Sequence, residues 1–389
     1  MTDLPKKTIL AVDDARGNLD VVEGILAPTY TVKAAINGKM ALKIVEKQKP
    51  DLILLDIMMP EMDGYEVCRL LKEDPGTLDI PVIFLTAKDQ SMDEAKGFEL
   101  GAADYIHKPF SPPILLARVA THLTLRQNME DLEKAYAIIK TQKDRMEKEL
   151  NFGREIQMSM VPSEMPRRDE FSLHAVLEPA REVGGDFYDF FSLDDRHYCV
   201  CVGDVSDKGV AAALFMAVSR TVIRSKATGE LSPAKILQYA NNELSRDNEG
   251  NMFVTLFLAI IDITTGEVVF ANGGHPSPIV RQANGDLVKL KGLHGPFLGA
   301  MEGFDYEQSQ YRLGDGDSLI IYTDGVTEAM NTEKELFGDE RLLKVLGHGS
   351  AGNADGLTRE IVSAVRAFEA GAEQTDDTTV VVFQFGQAT

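Results

Sequence analysis

The chain has 389 residues, a length that suits two or three compact units better than one. With 44% hydrophobic and 26% charged residues it has the composition of a folded globular protein, which excludes predominant disorder. The net charge of −21 argues against a nucleic-acid partner, which normally needs a dense basic face.

Three cysteines, Cys68, Cys199 and Cys201, make neither an even disulfide framework nor a paired C-x-x-C zinc set. They read as reduced, buried thiols, and the expected location is the cytoplasm. The longest apolar runs, such as Phe253 to Ile261, fall far short of the roughly 20 residues that a membrane helix needs, so no membrane association is expected. Met1 to Lys7 carries charge without a following signal-peptide core.

From Thr8 to about Leu123, short apolar runs alternate with amphipathic stretches. Thr8 to Val12, Tyr30 to Ala35, Leu52 to Leu55, Val82 to Leu85 and Ala103 to Ile106 read as strands. Nearly continuous apolar strands separated by helix-length segments predict a parallel sheet covered on both faces, a doubly wound α/β unit. Asp13 and Asp14 follow the first strand, Asp56 the third and Thr86 the fourth, while Lys108 ends the fifth. All lie at the carboxyl edge of the sheet, where open α/β folds bind ligands. Three carboxylates there suffice to hold a magnesium ion, and one of them to attack a phosphoryl group. Lys108 and Thr86 are suited to the added phosphoryl oxygens.

Taken one at a time, such aspartates are ordinary caps or solvated turns. Together, Val12-Asp13-Asp14, Leu55-Asp56-Ile57-Met58-Met59-Pro60 and Lys108-Pro109-Phe110 resemble a two-component response-regulator receiver over Lys7 to His122. The resemblance implies a (βα)5 fold, Asp56 as phosphoacceptor, and a sensor histidine kinase as partner. It also implies magnesium held by Asp13, Asp14, Asp56 and the Met58 carbonyl, with Thr86 and Tyr105 as a switch pair beside Lys108.

Next the period changes. Leu125, Met129, Leu132, Tyr136, Ile139, Lys143, Met146 and Leu150 fall at alternating spacings of four and three, with charged flanks and no Gly or Pro from Leu123 to Leu150. This is a heptad seam on a helix about 40 Å long at 1.5 Å per residue. It reads as a parallel coiled coil and hence a homodimer; a single helix packed on its own domains is the other reading. Lys143 in the seam favours two strands. Pro162 and Pro166 close the helical region.

From Phe171 strand signals dominate: His197 to Val202, Phe253 to Ile263, Glu267 to Ala271, Ser318 to Tyr322 and Thr379 to Phe385. Helices are expected at Val210 to Ser225, Ser232 to Leu244 and Gly356 to Glu369. Turns such as Thr264-Thr265-Gly266 predict mainly antiparallel pairing with helices outside, an α+β class. The expected domains are 1–123, a helical linker over 124–165, and 166–389.

Four acidic strings punctuate this last part: G-G-D-F-Y-D from Gly184, G-D-V-S-D-K-G from Gly203, Y-T-D-G-V-T-E from Tyr322 and D-D-T-T from Asp376. Two carboxylates at about 4 Å repel by roughly 4 kcal/mol at an effective dielectric near 20. A convergent cluster therefore implies bound cation or shifted protonation. An oxygen-only set selects magnesium or manganese over zinc.

With Ile156-Gln157, Val161-Pro162, Ala211 to Met216, Asn272-Gly273-Gly274-His275-Pro276 and Gly295-Pro296-Phe297-Leu298-Gly299, the strings resemble the metal-dependent serine/threonine phosphatases (PPM, type 2C) over Phe152 to Phe385. The bacterial branch of stage II sporulation protein E and the stress-response sigma regulators is the nearest in pattern. The resemblance implies a phosphatase sandwich of two sheets flanked by helices, and two magnesium or manganese ions. Asp204 would bridge them, Asp186 with the Val205 carbonyl would complete one, and Asp324 with Asp376 the other. Two such ions lower the pKa of a shared water and neutralise phosphoryl oxygens during in-line attack.

Asp189, Asp207 and Asp377 form a lesser set, and Asp207 stands where many relatives have glycine. Where eukaryotic relatives place a histidine after the bridging aspartate, this chain has Val205-Ser206; His275 is either a replacement general acid or a structural histidine.

Joined, the parts predict a receiver that controls a protein serine/threonine phosphatase, with a phosphorylated anti-sigma-factor antagonist as candidate substrate. Control is expected to reach the metals through Phe152 to Met160. The alternative is an adaptor that sequesters a partner without catalysis. A DNA-binding output has no basic helix-turn-helix to support it.

Overall fold

The computed structural model describes residues 6–87, 97–166, 168–348 and 353–386; Met1 to Pro5 of the N-terminal stretch lie outside the described residues. The chain divides into two compact units, Met1–Lys143 and Asp144–Thr389.

In the first unit, β1 (Thr8–Val12), β2 (Thr31–Ala35), β3 (Leu52–Asp56), β4 (Val82–Ala87) and β5 (Asp104–Lys108) form one sheet in the order β2-β1-β3-β4-β5. Every pairing is parallel. Alternate residues feed opposite faces, as the period of two requires. Leu10, Val12, Ile53, Leu55 and Phe84 pack with Val45 of α2 (Gly38–Lys47) and with Val67 and Leu71 of α3 (Gly64–Glu73). Ile9, Ala11, Leu52, Leu54, Ile83 and Leu85 pack with Leu19, Val22 and Leu26 of α1 (Arg16–Leu26), and with Leu115 and Val119. Each such Val, Leu, Ile or Phe side chain, taken fully out of water, contributes about 1.5–3 kcal/mol.

Leu115 and Val119 belong to α4 (Pro112–Met160), one helix that begins before the expected linker start at 124. One helix thus runs through the expected boundary at 123, and the division between the compact units falls inside it, after Lys143. Its seam faces outward. Leu125, Met129, Leu132, Tyr136, Ile139 and Met146 are each more than half exposed.

The second unit is a sandwich of two five-stranded sheets. One has β7 (Phe187–Ser192), β8 (His197–Val205), β9 (Val254–Asp262), β10 (Glu267–Gly273) and β13 (Ser309–Arg312), in the order β13-β10-β9-β8-β7. The other has β6 (Phe171–Glu178), β11 (Ile279–Arg281), β12 (Leu287–Lys289), β14 (Ser318–Tyr322) and β15 (Thr378–Phe385), in the order β12-β11-β14-β15-β6. Pairing is antiparallel throughout.

Parity assigns the layers. Val200, Val202, Phe257, Ala259, Ile321, Val381 and Phe383 fill the space between the sheets. Cys199, Cys201, Leu256 and Leu258 face α5 (Val210–Ala227) and α6 (Pro233–Ser245). Ile320, Tyr322, Val380 and Val382 face α8 (Gly338–His348) and α9 (Ala354–Glu369), which follow the single-turn α7 (Asp324–Thr327). The result is four layers, α-β-β-α. All three cysteines are buried and free, and no described helix is long and apolar enough to cross a membrane.

Candidate functional site

At the carboxyl edge of the parallel sheet the sequence-predicted residues come together. Among the described residues, Asp13, Asp14 and Asp56 form the one set of three whose ligand oxygens all lie within 4.8 Å of one another. Asp13 is fixed from several sides: Oδ1 accepts the Ala15 amide and Asn18 Nδ2, each at 2.9 Å, and Oδ2 pairs with Lys108 Nζ at 2.7 Å. The same ammonium reaches Asp56 Oδ1 at 2.9 Å. Burial raises the Asp56 carboxyl above the usual range against the pull of Lys108, and perturbed carboxyls of this kind mark candidate functional sites. Thr86 and Tyr105 are buried. The Tyr105 ring stacks on Phe84 at 5.5 Å and meets Phe98 edge-on at 4.9 Å.

In the second unit the strand register builds the site. The parity that turns Val200 and Val202 between the sheets also turns Asp204, near the end of β8, and Thr255 opposite it on β9. On the facing sheet the parity of Val381 and Phe383 carries Thr379 inward. Asp186 precedes β7, Asp324 opens α7, and Asp376 precedes β15, so the four aspartates come from both sheets at one end of the sandwich.

Asp186 ties the sheets together: its Oδ2 accepts Thr323 Oγ1 at 2.8 Å and Thr379 Oγ1 at 2.6 Å. It is buried, and burial with the charges of Asp204 and Asp377 raises its pKa well above the ordinary value. Asp204 shares a hydrogen bond with Asp186; burial, then Asp324 and Asp376, lifts its carboxyl to about 7. Burial and Asp376 also raise Asp324. The cluster thus relieves its repulsion by taking up protons, and by an ion pair between Asp376 Oδ2 and Lys208 Nζ at 2.9 Å.

These shifts and an oxygen-only donor set fit hard divalent cations. Gly185 keeps the Val205 carbonyl within reach of this pocket: a Cβ there would stand 2.9 Å from that oxygen.

The lesser aspartates have distinct duties. Asp377 is a buried scaffold: its carboxylate accepts the amides of Ala180 at 2.8 Å and Gly185 at 2.7 Å, which holds the G-G-D loop. A Cβ at Gly184 would collide with that carboxylate, and one at Gly325 with the Asp377 carbonyl. Asp189 is buried against Arg220 at 3.1 Å and Arg224 at 2.7 Å, away from ligand duty. Asp207 has φ 72°, the left-handed region, which explains why glycine suits this position.

Buried Gln157 clasps the same loop, donating to the Gly184 carbonyl at 2.6 Å and accepting its amide at 3.2 Å. His275 pairs through Nδ1 with Thr255 Oγ1 at 2.9 Å, and burial lowers its pKa to about 3. Burial and the contact with Thr255 favour the structural reading of His275 over that of a proton donor.

Residue-by-residue reading of the strings did not single out Thr323, Thr379 or Lys208. The signal lay inside the strings themselves, Y-T-D, D-D-T-T and D-K-G.

The raised Asp204 carboxyl carries a pH prediction. A folded-state pKa above the unfolded value favours folding below the unfolded value near 3.8, and that contribution is lost as pH rises to about 7. In EDTA, Asp204→Asn should therefore gain stability over the wild type as pH rises from 5 to 8, by at most about 3 kcal/mol, two units up to the folded value near 7 at 1.4 kcal/mol per unit. Thermal melts at the two pH values check it; an unchanged difference contradicts it.

Comparison with known proteins agrees with this geometry. Residues 9–120 match the response regulator receiver domain, and residues 194–386 match stage II sporulation protein E. The second match begins after Asp186, whose place rests on the fold. Protein IcfG of Synechocystis is 33% identical over 264 residues, 60% of this chain and 41% of that protein. Phosphoserine phosphatase RsbU of Bacillus subtilis is 24% identical over 237 residues, 61% of this chain and 70% of that one. The solved SiaA-PP2C domain of Pseudomonas aeruginosa superposes with a TM-score of 0.55 at 21% identity, covering 62% of this chain and 98% of that domain, a likeness of fold. Domain by domain, then, residues 9–120 are similar to response regulator receiver domains and residues 194–386 to the stage II sporulation protein E domain, and the second unit has the PP2C fold.

Proposed function

We propose that the chain is a response regulator whose output is metal-dependent hydrolysis of phosphoserine or phosphothreonine on a protein. One observation carries this reading: four aspartates from two sheets converge at one end of the sandwich, with Asp186, Asp204 and Asp324 raised above the ordinary carboxyl range by burial and mutual charge. A partner-sequestering adaptor without catalysis has no need of such a cluster, and we favour the enzyme.

Asp204 would bridge two ions, Asp186 and the Val205 carbonyl serving one, Asp324 and Asp376 the other. Asp204 lies between the two pairs, hydrogen-bonded to Asp186 and within the field of Asp324 and Asp376, as a shared ligand would be. Manganese or magnesium there supplies Lewis-acid neutralisation of phosphoryl oxygens and activation of water. The chain supplies position: Thr323 and Thr379 aim Asp186, Asp377 holds the loop before it, and Gln157 clasps that loop from α4. With His275 held neutral, the leaving alkoxide takes its proton from water.

The name of RsbU, a phosphoserine phosphatase, supports the substrate class, and an anti-sigma-factor antagonist phosphorylated on serine or threonine is our candidate. The receiver would take its phosphoryl group on Asp56 from a sensor histidine kinase, with one magnesium on Asp13, Asp14, Asp56 and the Met58 carbonyl. Lys108 and Thr86 would then hold the phosphoryl oxygens, and Tyr105 would follow Thr86. Residues 124–165 would act as the linker between receiver and phosphatase. Three free, buried thiols support a reducing cytoplasm.

The exposed seam from Leu125 to Met146 supports a parallel two-stranded coiled coil with a second copy, since removing such a stripe from water is favourable in proportion to its area.

Full-length protein with manganese should hydrolyse a phosphoserine peptide, and Asp204→Asn should lower kcat by about 10³-fold or more. Asp56→Ala should keep basal turnover but lose any response to acetyl phosphate. Undiminished turnover in Asp204→Asn would remove the metal reading. In sedimentation the full chain should run as a dimer and the pair Leu132→Lys with Ile139→Lys as a monomer; a monomeric wild type contradicts the coiled coil.

A further inference from the structure

We propose that Lys208 is a tethered counter-cation of the phosphatase cluster, an ammonium that occupies Asp376 and competes with divalent metal for it. The inference rests on the reading of Asp376 as a metal ligand.

Lys208 lies on the turn between β8, which carries Asp204, and α5. Its neighbours on both sides have left-handed backbone, Asp207 at φ 72° and Gly209 at φ 84°. The Asp207 carboxylate accepts the Lys208 amide at 2.8 Å and so fixes the turn. This tight turn carries the lysine side chain to a segment distant in sequence. Nζ donates to the Thr375 carbonyl at 2.6 Å and pairs with Asp376 Oδ2 at 2.9 Å.

A carbonyl oxygen beside a carboxylate oxygen is a donor pair of the kind a hard divalent ion prefers. Lys208 engages that pair with a single positive charge on a flexible stem, and its side chain is about one-third exposed. It is placed to leave for solvent without unfolding anything. Metal entering at Asp376 must displace the ammonium or share the carboxylate with it, and either way the fixed charge opposes the incoming ion. The affinity of the cluster for metal is then set partly by a residue that is not a ligand.

The probe is manganese alone, titrated calorimetrically into the full chain carrying Asp14→Asn to weaken the receiver site. Lys208→Met, which keeps the length and loses the charge, should bind manganese about fivefold tighter and melt lower in EDTA, because Asp376 has lost its counter-charge. Lys208→Arg should stay close to the wild type in both. Equal or weaker manganese binding in Lys208→Met, with wild-type binding intact and sensitive to Asp204→Asn, overturns the proposal and leaves the metal reading standing. If neither the parent nor Lys208→Met takes up manganese in a manner sensitive to Asp204→Asn, the metal reading itself falls, and the proposal with it.

Discussion

Mutual repulsion among carboxylates gathered at one end of a β-sandwich is the constraint on which the second unit depends. The fold meets it by several local devices. Asp186 and Asp204 share a hydrogen bond, two threonine hydroxyls are donated to Asp186, Lys208 pairs with Asp376, and backbone amides converge on Asp377. None of these is a large hydrophobic contribution. Each depends on the two sheets being in register, so the core that aligns the sheets also assembles the cluster.

The receiver half meets the same constraint on a smaller scale. Lys108 spans Asp13 and Asp56 as Lys208 spans Asp376 and the Thr375 carbonyl. In each unit one lysine from a neighbouring segment stands against acids that are suited to a divalent ion. The difference is burial. Asp13 is nearly inaccessible and Asp56 lies deep, whereas Asp376 is about one-third exposed, so solvent screens the second pair more.

Much of this was legible in the residues. The receiver strands are nearly continuous apolar runs because helices cover both faces, and β1 was read to the residue. The acidic strings were legible because clustered charge has no cheap alternative, and the fold does bring Asp186, Asp204, Asp324 and Asp376 to one end of the sandwich. β11, β12 and β13 have only three or four residues and weak alternation, and α8 is a short helix; none was foreseen. Strand β7, F-Y-D-F-F-S, is buried on both faces and shows no period to detect. The duties of Thr323, Thr379, Asp377 and Lys208 were hidden because each depends on a partner far away in sequence. His275 shows the same limit, since its two readings stay open until its burial and its Thr255 partner are seen, and these favour the structural one.

The proposed metal centre is tested most directly by anomalous diffraction from crystals of the full chain grown with manganese. Two manganese peaks should lie between the sheets, both touching Asp204, one completed by Asp186 and the Val205 carbonyl and the other by Asp324 and Asp376. Crystals with manganese at the receiver aspartates and none at Asp204 would contradict it.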